Sequence, residues 1–365
     1  MKSFNDIYRN KKVLITGHTG FKGSWLTIWL QSLGADVIGF SKSIPTEPSN
    51  FKASNLHNSS TNIDGDISCF QSIKKVVIDE KPDFIFHLAA QALVRDSYSN
   101  PMDTWSTNTM GTLSILEAIR QADIETTVIL ITSDKCYDNV EWVWGYKETD
   151  TLGGPDPYSA SKGAAELVIS SYFRSFFQSG KVKVASARAG NVIGGGDWAC
   201  DRIVPDCVKA WSKNKVVELR KPNATRPWQH VLEPLSGYLS LGERLHFNHY
   251  LNGESYNFGP HANNTQSVLE LVEEFSLYWS LAKSEDISDK YEGPYESGLL
   301  KLNCDKALYE LSWKAALDFP NTVRLTADWY RFFYEVDRHN MIKMCESQIL
   351  EYTEIARKQN IFWTQ

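Results

Sequence analysis

The sequence predicts an α/β protein: a Rossmann-type, doubly wound parallel sheet with a smaller mixed α/β substrate-binding lobe towards the C-terminus. Two observations favour this fold class. Short apolar runs alternate with segments of helical periodicity from residue 12 to residue 190, as in successive βαβ units. The first apolar run is followed directly by a glycine-rich turn and a helix, which is the position of the phosphate-binding turn in nucleotide-binding folds.

The first strand and its turn predict a dinucleotide site. Val13–Ile15 is a short buried strand, and closely spaced glycines separate it from a helix over Ser24–Leu33. Glycines let the backbone approach a ligand closely, and a helix N-terminus offers N–H groups and partial positive charge to a pyrophosphate. An ordinary strand–turn–helix corner is the alternative. The turn residues that we expect to contact the cofactor are Gly17, Thr19, Gly20, Phe21, Lys22 and Gly23.

The end of the second strand bears on the choice between NAD and NADP. An acidic residue there usually accepts the adenosine ribose hydroxyls of NAD, whereas a basic residue accommodates the extra phosphate of NADP. Here the strand Val37–Phe40 is followed by Ser41 and Lys42, without an acid. Lys42 keeps NADP open, although a solvated loop lysine is the simpler interpretation. We predict NAD, with Ser41 among its contacts.

The next two strand ends supply further candidates for cofactor contact. Asp66 and Ile67 follow a short strand and could hold the adenine amino group and cover its ring. Equally, Asp66 could cap the helix predicted over Phe70–Glu80. The buried strand over Pro82–Ala90 ends where the cofactor would pass. Its residues in the predicted cofactor site are Leu88, Ala89 and Ala90.

Polar residues follow the next strand, at the edge where open α/β sheets bind ligands. Thr127–Thr132 is a β-branched strand, and the polar tripeptide Ser133–Lys135 comes directly after it. A helix is predicted from Pro157 to about Phe177. Tyr158 and Lys162 lie four residues apart in it, so they share one helix face.

A tyrosine and a lysine on one helix face beside a dinucleotide suit proton-coupled hydride transfer. The Lys162 ammonium is expected to lower the pKa of the Tyr158 phenol. A phenolate could then take the proton of a substrate hydroxyl while hydride leaves the same carbon. Lys162 could also bond the nicotinamide ribose, and Ser133 would share the substrate oxygen. Asn108, in a helix predicted over Thr104–Gln121, is included among the cofactor contacts, although bonding to backbone is its main interpretation.

The regular alternation weakens after residue 190, and this sets the predicted domain boundaries. The strand Lys181–Arg188 runs into a second glycine-rich turn. We predict a dinucleotide-binding domain over residues 1–190, to which residues 228–258 return. Residues 191–227 and 259–365 are expected to form the substrate-binding lobe, which ends in mainly helical structure and a polar tail.

Composition argues against several classes of function. The formal net charge of the 365 residues is −6, which disfavours nucleic acid or an anionic membrane as the main partner. No apolar stretch has transmembrane length, and the first ten residues do not read as a signal peptide. The six cysteines form no CxxC pair and no zinc spacing. We therefore expect reduced thiols, a cytoplasmic location and no metal site.

Together the motifs resemble the extended short-chain dehydrogenase/reductases, and within them the nucleotide-sugar 4,6-dehydratases. The resemblance rests on TGHTGFKG, HLAAQ, Ser133 with the YxxxK pair, and RxxNVxGGGD from Arg188 to Asp197. RPWQHV and YNFGP extend it more loosely through the C-terminal half. The likeness is greatest to the enzymes that use CDP-glucose, by GHTGFKGSWL, TSDKCYDN and GGGDWxxDRIVPD. The cytidine base comes from the resemblance alone.

The resemblance implies an NAD-dependent dehydration. Tyr158 would remove the C4 hydroxyl proton as NAD takes the C4 hydride, and the hydride would return to C6 after water has left. Asp134 would protonate the departing C6 oxygen, for which a dry site should raise its pKa. Relatives of the dTDP-glucose type carry Thr-Asp-Glu at Ser133–Lys135. Lys135 is therefore either a neutral base for the C5 proton or a cation that stabilises the enolate or orients Asp134.

The same resemblance places the rest of the substrate against the C-terminal lobe, where arginine forks suit a diphosphate. The residues expected to bind substrate are Gln91, Asn191, Arg202 and Arg226. The family usually dimerises through the helix over Thr104–Gln121 and the helix after Tyr158, so a homodimer or homotetramer is expected. The alternatives are a GDP-mannose or dTDP-glucose dehydratase, a 4-epimerase, or a non-catalytic cofactor-sensing protein. Asp134 argues for dehydration, because an epimerase needs no acid there.

Overall fold

A computed structural model describes residues 3–262, 264–290 and 298–365, and a parallel sheet lies at its centre. The strands of this sheet are β1 (Lys12–Thr16), β2 (Asp36–Ser41), β3 (Thr61–Asp64), β4 (Phe84–His87), β5 (Thr126–Ile131), β6 (Val182–Ala189) and a late strand, Ser255–Phe258. Short strands of two or three residues lie between β6 and Ser255–Phe258. They are β7 (Val192–Ile193), β8 (Val217–Leu219), β9 (Thr225–Arg226) and β10 (Gln229–His230). The strand Ser255–Phe258 is therefore named β11.

Within the described residues the sheet has seven strands in the order β11-β6-β5-β4-β1-β2-β3, all parallel. The strand order reverses between β1 and β4, where Ile15 lies beside Phe86. Such a reversal opens a crevice at the carboxyl ends of the strands, and ligands bind there in open α/β sheets. The predicted doubly wound Rossmann-type fold is confirmed.

Helices flank the sheet and the strands connect to them in βαβ order. The helices are α1 (Phe21–Ser32), α2 (Asn50–Ala53), α3 (Phe70–Glu80), α4 (Val94–Ser99), α5 (Pro101–Trp105), α6 (Gly111–Ala122), α7 (Pro157–Tyr172), α8 (Ile203–Trp211), α9 (Leu232–Phe247), α10 (Val268–Ser276), α11 (Asp305–Leu311), α12 (Phe319–Arg331) and α13 (Met341–Lys358). Two further short strands are β12 (Gln266–Ser267) and β13 (Ser284–Asp286). Among the described residues, no helix combines the length and hydropathy needed to cross a membrane.

The sheet has an apolar core on each face because successive strand residues point in opposite directions. Val13 and Ile15 of β1 join the core beneath α1, α9 and α13. Leu14, between them, joins the core formed with α3, α6 and α7. The nearly unbroken apolar runs of the inner strands are the sequence signature of a sheet that is covered on both faces.

Two helices differ from the sequence prediction. The helix expected over Thr104–Gln121 consists of α5 and α6 joined by a π-helical turn at Ser106–Met110. The helix expected to end near Phe177 changes to a π turn at Phe173–Phe177 after α7. Insertions of this kind keep the helix direction while rotating the side chains that follow.

The C-terminal segment is not the polar tail that the sequence predicted. Helix α13 packs against α1, and Trp363 stacks on Phe4 with ring centroids 5.0 Å apart. Trp363 also stacks on Tyr352 of α13. Sparse apolar residues at helical spacing carry this contact, which explains why the segment appears polar in sequence. The proposed domain boundaries remain a prediction, and residues 263 and 291–297 of the lobe lie outside the described residues.

Candidate active site

The glycine turn after β1 forms a close backbone cradle at the strand-order reversal. Gly17 has φ +77°, and a Cβ on it would lie 2.8 Å from the Ala89 backbone N. A Cβ on Gly23 would lie 2.2 Å from the Gly17 carbonyl oxygen. Gly20 is the N-cap of α1, which has no side-chain cap. The turn therefore brings backbone and a helix N-terminus together as a pyrophosphate requires, so these residues fit a dinucleotide.

A histidine inside the turn organises the end of β2. His18 is buried, and its Nδ1 lies 2.8 Å from the Ser41 Oγ. Its Nε2 lies 2.8 Å from the Asn62 Oδ1. The Thr19 backbone N–H also donates to the Ser41 Oγ at 3.4 Å, and the Thr19 hydroxyl donates to the Ser43 carbonyl at 2.7 Å. Ser41 is thus held in place from the glycine turn.

Lys42 is paired with acidic residues. Its Nζ lies 2.9 Å from Asp66 Oδ2 and 3.9 Å from Asp103 Oδ1. The backbone N–H and hydroxyl of Ser68 both donate to Asp66 Oδ1. Partial burial acts to raise the pKa of Asp66, but the bonds from Lys42 and Ser68 outweigh it and lower that pKa. The cation that kept NADP open is therefore paired with carboxylates of the protein itself, although its side chain is 63% exposed.

Two of the predicted ligand contacts, Asn108 and Gln91, bond to each other. The Asn108 side chain accepts from the Gln91 backbone N–H at 2.9 Å and donates to its carbonyl at 3.1 Å. Asn108 also donates to Ser161 on α7 at 2.9 Å. The Gln91 side-chain amide donates to Leu93 and Thr104. Both side chains thus brace the chain after β4, which matches the backbone-bonding interpretation of Asn108.

The remaining residues predicted to contact the cofactor follow β3 and β4 or begin α1. Ile67 is buried, and a Cβ on Gly111 would lie 2.9 Å from its Cγ2. The Leu88 backbone N–H donates to the Thr16 carbonyl at 3.0 Å, which extends β4 beside the glycine turn. Phe21 and Ala90 are half-buried.

The polar tripeptide forms a short 3₁₀ turn at the carboxyl end of β5. Ser133 is its N-cap, accepting from the Lys135 backbone N–H at 3.2 Å and donating to Asp134 Oδ1 at 3.0 Å. Asp134 is buried, and a Cβ on Gly190 would lie 2.8 Å from its Oδ2. Gly190, at the end of β6, is thus needed where it stands to leave room for the acid.

The predicted shift of Asp134 is confirmed in direction. Burial raises the pKa of its carboxyl, although the charges of Lys135 and Lys22 and the Ser133 hydrogen bond oppose the shift. Lys135 itself is half-buried. Because the carboxyl is buried and keeps its proton to a higher pH than usual, the geometry suits a general acid.

Tyr158 and Lys162 both face this site from α7, which Asp156 caps by accepting from the Ser159 N–H. The prediction that the pKa of the Tyr158 phenol is lowered is wrong. Burial raises the pKa of Tyr158 to about 12, and hydrogen bonding with the Ser133 side chain opposes this shift. Burial also lowers the pKa of Lys162 to about 8, despite the opposing charge of Glu166. Burial is the largest cause of both shifts, and the tyrosine–lysine coupling that the spacing suggested is not among their causes.

Lys22 reaches the catalytic groups from the glycine turn. Its Nζ lies 3.4 Å from the Tyr238 hydroxyl. Burial, followed by the charge of Arg202, lowers the pKa of Lys22 to about 8, and Asp134 opposes the shift. Sequence reasoning placed Lys22 with the cofactor and missed Tyr238. Nothing marks Tyr238 in the sequence, because it lies in the largely apolar helix α9.

The predicted substrate residues of the lobe are placed differently from one another. Arg202 donates to Asp197 at 2.7 Å and lies close enough to Tyr158 to affect its pKa. Arg226 donates to the carbonyls of Thr225 and Gly298. The Asn191 carbonyl accepts from the backbone of β10. The structure thus brings Arg202 to the catalytic groups and reveals Asp197 as its unpredicted partner.

Comparison with known proteins adds a family to this geometry. The profile described as GDP-mannose 4,6 dehydratase matches residues 14–326. A CDP-glucose 4,6-dehydratase of Salmonella typhimurium is 42% identical over 355 residues, covering 95% of this chain and 97% of the relative. A CDP-paratose 2-epimerase of Salmonella typhi is 28% identical, covering 74% of this chain and 85% of that protein.

Solved structures agree in fold. Pal from Bacillus thuringiensis has a TM-score of 0.75 at 23% identity, covering 88% of this chain and 99% of that one. A dTDP-glucose 4,6-dehydratase from Bacillus anthracis, solved in complex with NAD, has a TM-score of 0.72 at 23% identity, covering 88% of this chain and 96% of that one. The chain therefore belongs to the GDP-mannose 4,6-dehydratase family of extended short-chain dehydrogenase/reductases.

Proposed function

We propose that the chain is an NAD-dependent CDP-glucose 4,6-dehydratase. The observation that carries the proposal is the buried carboxyl of Asp134, which lies beside Ser133 and Tyr158 and whose pKa is raised by burial. A 4-epimerase has no use for such an acid, whereas elimination of water does. The identity of 42% with a CDP-glucose 4,6-dehydratase, over nearly all of both chains, supports the same reaction and substrate.

In the proposed reaction the chain handles protons at three positions of the hexose. Tyr158 takes the proton of the C4 hydroxyl, and Ser133 bonds the same oxygen. Asp134 gives its proton to the C6 oxygen as the C6–O bond breaks, so that this oxygen leaves as water. Bound NAD would accept the C4 hydride and return it to C6 while a proton returns to C5, which leaves the cofactor oxidised at the end of each turnover.

We assign the removal of the C5 proton to the part of the site around Lys135. Two roles fit its half-buried position next to Asp134: a base that removes the proton, or a cation that stabilises the enolate oxygen. Lys135→Arg separates them, because guanidinium keeps the charge and cannot act as a base. Retained exchange of the C5 hydrogen with solvent supports the cation, and its loss supports the base.

The substrate diphosphate is assigned to Arg202 and Arg226, with Asn191 and Gln91 as the further substrate contacts. Support comes from Arg202, which Asp197 holds next to the catalytic groups. The cofactor contacts are those of the glycine turn, the ends of β2 and β4, and α7. The remaining parts of the proposal are the domain boundaries, a homodimer or homotetramer, and a cytoplasmic location. The six free cysteines, all among the described residues, support a reducing compartment.

The decisive experiment offers CDP-, dTDP- and UDP-glucose and GDP-mannose to the purified enzyme with NAD. We expect loss of one water from CDP-glucose by mass spectrometry, without net formation of NADH. Dehydration of dTDP-glucose but not of CDP-glucose would contradict the proposed substrate. Epimerisation without loss of mass would contradict the proposed reaction.

A further inference from the structure

A buried ion pair lies directly behind the catalytic residues. Glu166 is on α7, four residues after Lys162 and eight after Tyr158, on the same face of the helix. Its carboxylate accepts from Arg188 Nε at 3.0 Å and from Arg188 Nη2 at 2.8 Å. Both side chains are 3% exposed. A two-pronged contact of this kind fixes orientation as well as charge.

The ion pair holds the catalytic turn after β5 at both ends. Thr132 precedes Ser133, and its hydroxyl donates a hydrogen bond to Glu166 Oε1. Tyr137 follows Cys136, and its hydroxyl accepts a hydrogen bond from Arg188 Nη1 at 2.7 Å. The Tyr137 ring lies beneath the Arg188 guanidinium. The segment 133–136 is therefore fixed at each end to one buried pair.

The same pair is anchored in the sheet. Ser186 of β6 donates to Glu166 Oε2 at 2.8 Å, and the Tyr137 hydroxyl donates to Asn257 of β11 at 2.8 Å. Arg188 also donates to the Glu148 carbonyl at 3.0 Å. Each polar group of the pair is satisfied inside the protein, so the cluster can be rigid without leaving a buried charge unpaired.

We propose that Glu166 and Arg188 are positioning residues which, through Thr132 and Tyr137, set the acid on the β5 turn against the tyrosine on α7. This inference rests on the proposed function for its chemical readout. Oxidation at C4 needs Tyr158 in place, whereas elimination also needs Asp134 correctly placed relative to it. Loosening the turn therefore slows elimination more than oxidation, since small misplacements cost large factors in rate.

The test uses Thr132→Val, which removes one hydroxyl and keeps the shape of the side chain and the ion pair. Its matched control is Thr127→Val on β5, the strand that ends just before Thr132; the buried Thr127 hydroxyl lies 3.3 Å from His246, away from the turn. Tyr137→Phe probes the other end of the segment. Each variant is mixed with NAD and CDP-glucose, and NADH absorbance and product are followed in a single turnover.

We expect Thr132→Val and Tyr137→Phe to lower kcat about tenfold, with KM within about twofold of the wild type, and to accumulate NADH transiently. Thr127→Val should match the wild type. An equal loss of oxidation and elimination in Thr132→Val, or behaviour matching that of Thr127→Val, contradicts the inference.

A second readout needs no substrate. Amide hydrogen exchange of residues 133–137 should be faster in Thr132→Val than in Thr127→Val, while exchange in the sheet core is unchanged. Equal exchange in the two variants contradicts the inference. If the wild type does not act on CDP-glucose, the proposed function fails, and this exchange measurement still decides the role of the ion pair.

Discussion

Burial is the largest cause of the pKa shifts of the individual catalytic side chains. It raises the pKa of Asp134 and Tyr158 and lowers the pKa of Lys22 and Lys162. Each of the four shifts favours the uncharged form of its group. These shifts make proton transfer at the site sensitive to any charge that a substrate or cofactor brings.

Asp134→Asn should keep C4 oxidation and lose elimination. The amide fills the same space between Ser133 and Gly190 but cannot give a proton to the leaving oxygen, so product formation should fall by about 10² to 10⁴. Single-turnover absorbance should then show NADH that persists. Unchanged dehydration by this variant contradicts the role of the acid.

The wild-type rate of elimination should fall as pH rises through the raised pKa of Asp134, because the acid is then deprotonated. The single-turnover rate of product formation, measured across pH, checks this. In Asp134→Asn that alkaline limb should disappear. If both proteins show the same decrease in rate at high pH, a group other than Asp134 causes it.

Tyr158→Phe should lower turnover by several orders of magnitude, because the phenol oxygen that takes the C4 hydroxyl proton is gone. NADH should not accumulate, in contrast to Asp134→Asn, since the loss precedes hydride transfer. Tyr8→Phe is a suitable control, because the buried Tyr8 donates its hydroxyl hydrogen bond to the Leu239 carbonyl and packs on Phe84, the first residue of β4, away from the carboxyl edge of the sheet. Near-normal turnover of Tyr158→Phe contradicts its assignment as base.

Sequence reasoning found the residues that follow buried strands and missed those that reach the site from elsewhere. Ser133, Asp134 and Tyr158 follow regular elements at recognisable spacing, so they could be placed. Tyr238 could not, since only the tertiary fold brings it to Lys22, which lies 216 positions away in the sequence. The sign of the Tyr158 shift was wrong because burial cannot be measured from spacing.

At the scale of elements, the glycine turn allows little change. Gly23→Ala would place a Cβ 2.2 Å from the Gly17 carbonyl, whereas Gly20→Ala would place one at 3.3 Å. We expect Gly23→Ala to cost about 1–3 kcal/mol of stability and to weaken NAD binding at least tenfold. Gly20→Ala should have a smaller effect on both. Thermal unfolding and calorimetric titration with NAD measure these effects, and an equal response of the two variants contradicts the steric explanation.

A buried carboxylate links helix α9 to the C-terminal helix. Glu233 accepts from the backbone N–H groups of Ala316 and Leu317 and from the Tyr352 hydroxyl at 2.7 Å. Burial raises the pKa of Glu233 from 4.5 to about 7, against these hydrogen bonds. The folded state therefore binds the proton more tightly than the unfolded state does.

This linkage predicts a pH-dependent loss of stability. The contribution of Glu233 is fully present below about pH 4.5 and is lost as pH rises to about 7, with a slope of at most about 1.4 kcal/mol per pH unit. Chemical unfolding of the wild type and Glu233→Gln between pH 5 and 8 isolates it. The difference in unfolding free energy between the two proteins should change with pH in that range, and a constant difference contradicts the linkage.

At the scale of the whole molecule, the helices expected to form the dimer carry exposed apolar side chains. They lie on the helix from α5 to α6 and on α7 with its π turn, and they are Met102, Trp105, Met110, Leu167 and Phe176. Exposed apolar side chains mark an interaction surface where they form a patch, and the dimer is proposed to use these. The sequence predicted these helices, but it did not show which of their side chains are exposed once the π turns are in place.

Leu167→Glu should dissociate the proposed dimer, because a two-fold axis would bring two carboxylates into one apolar contact. Leu281→Glu, a change at a similarly exposed leucine in the C-terminal lobe, is the control. Sedimentation velocity should give monomer for the first variant and the wild-type species for the second. A monomeric wild type, or an undisturbed Leu167→Glu oligomer, contradicts the proposal.

The stack of Trp363 on Phe4 has a consequence for how the chain folds during synthesis. Phe4 and Trp29 contact Trp363 in one buried group, yet these residues lie at opposite ends of the sequence. The N-terminal βα units emerge from the ribosome first and begin to fold. Their core stays open until residue 363 has been translated, so a nascent chain stalled before that point should expose Trp29 to solvent and to chaperones.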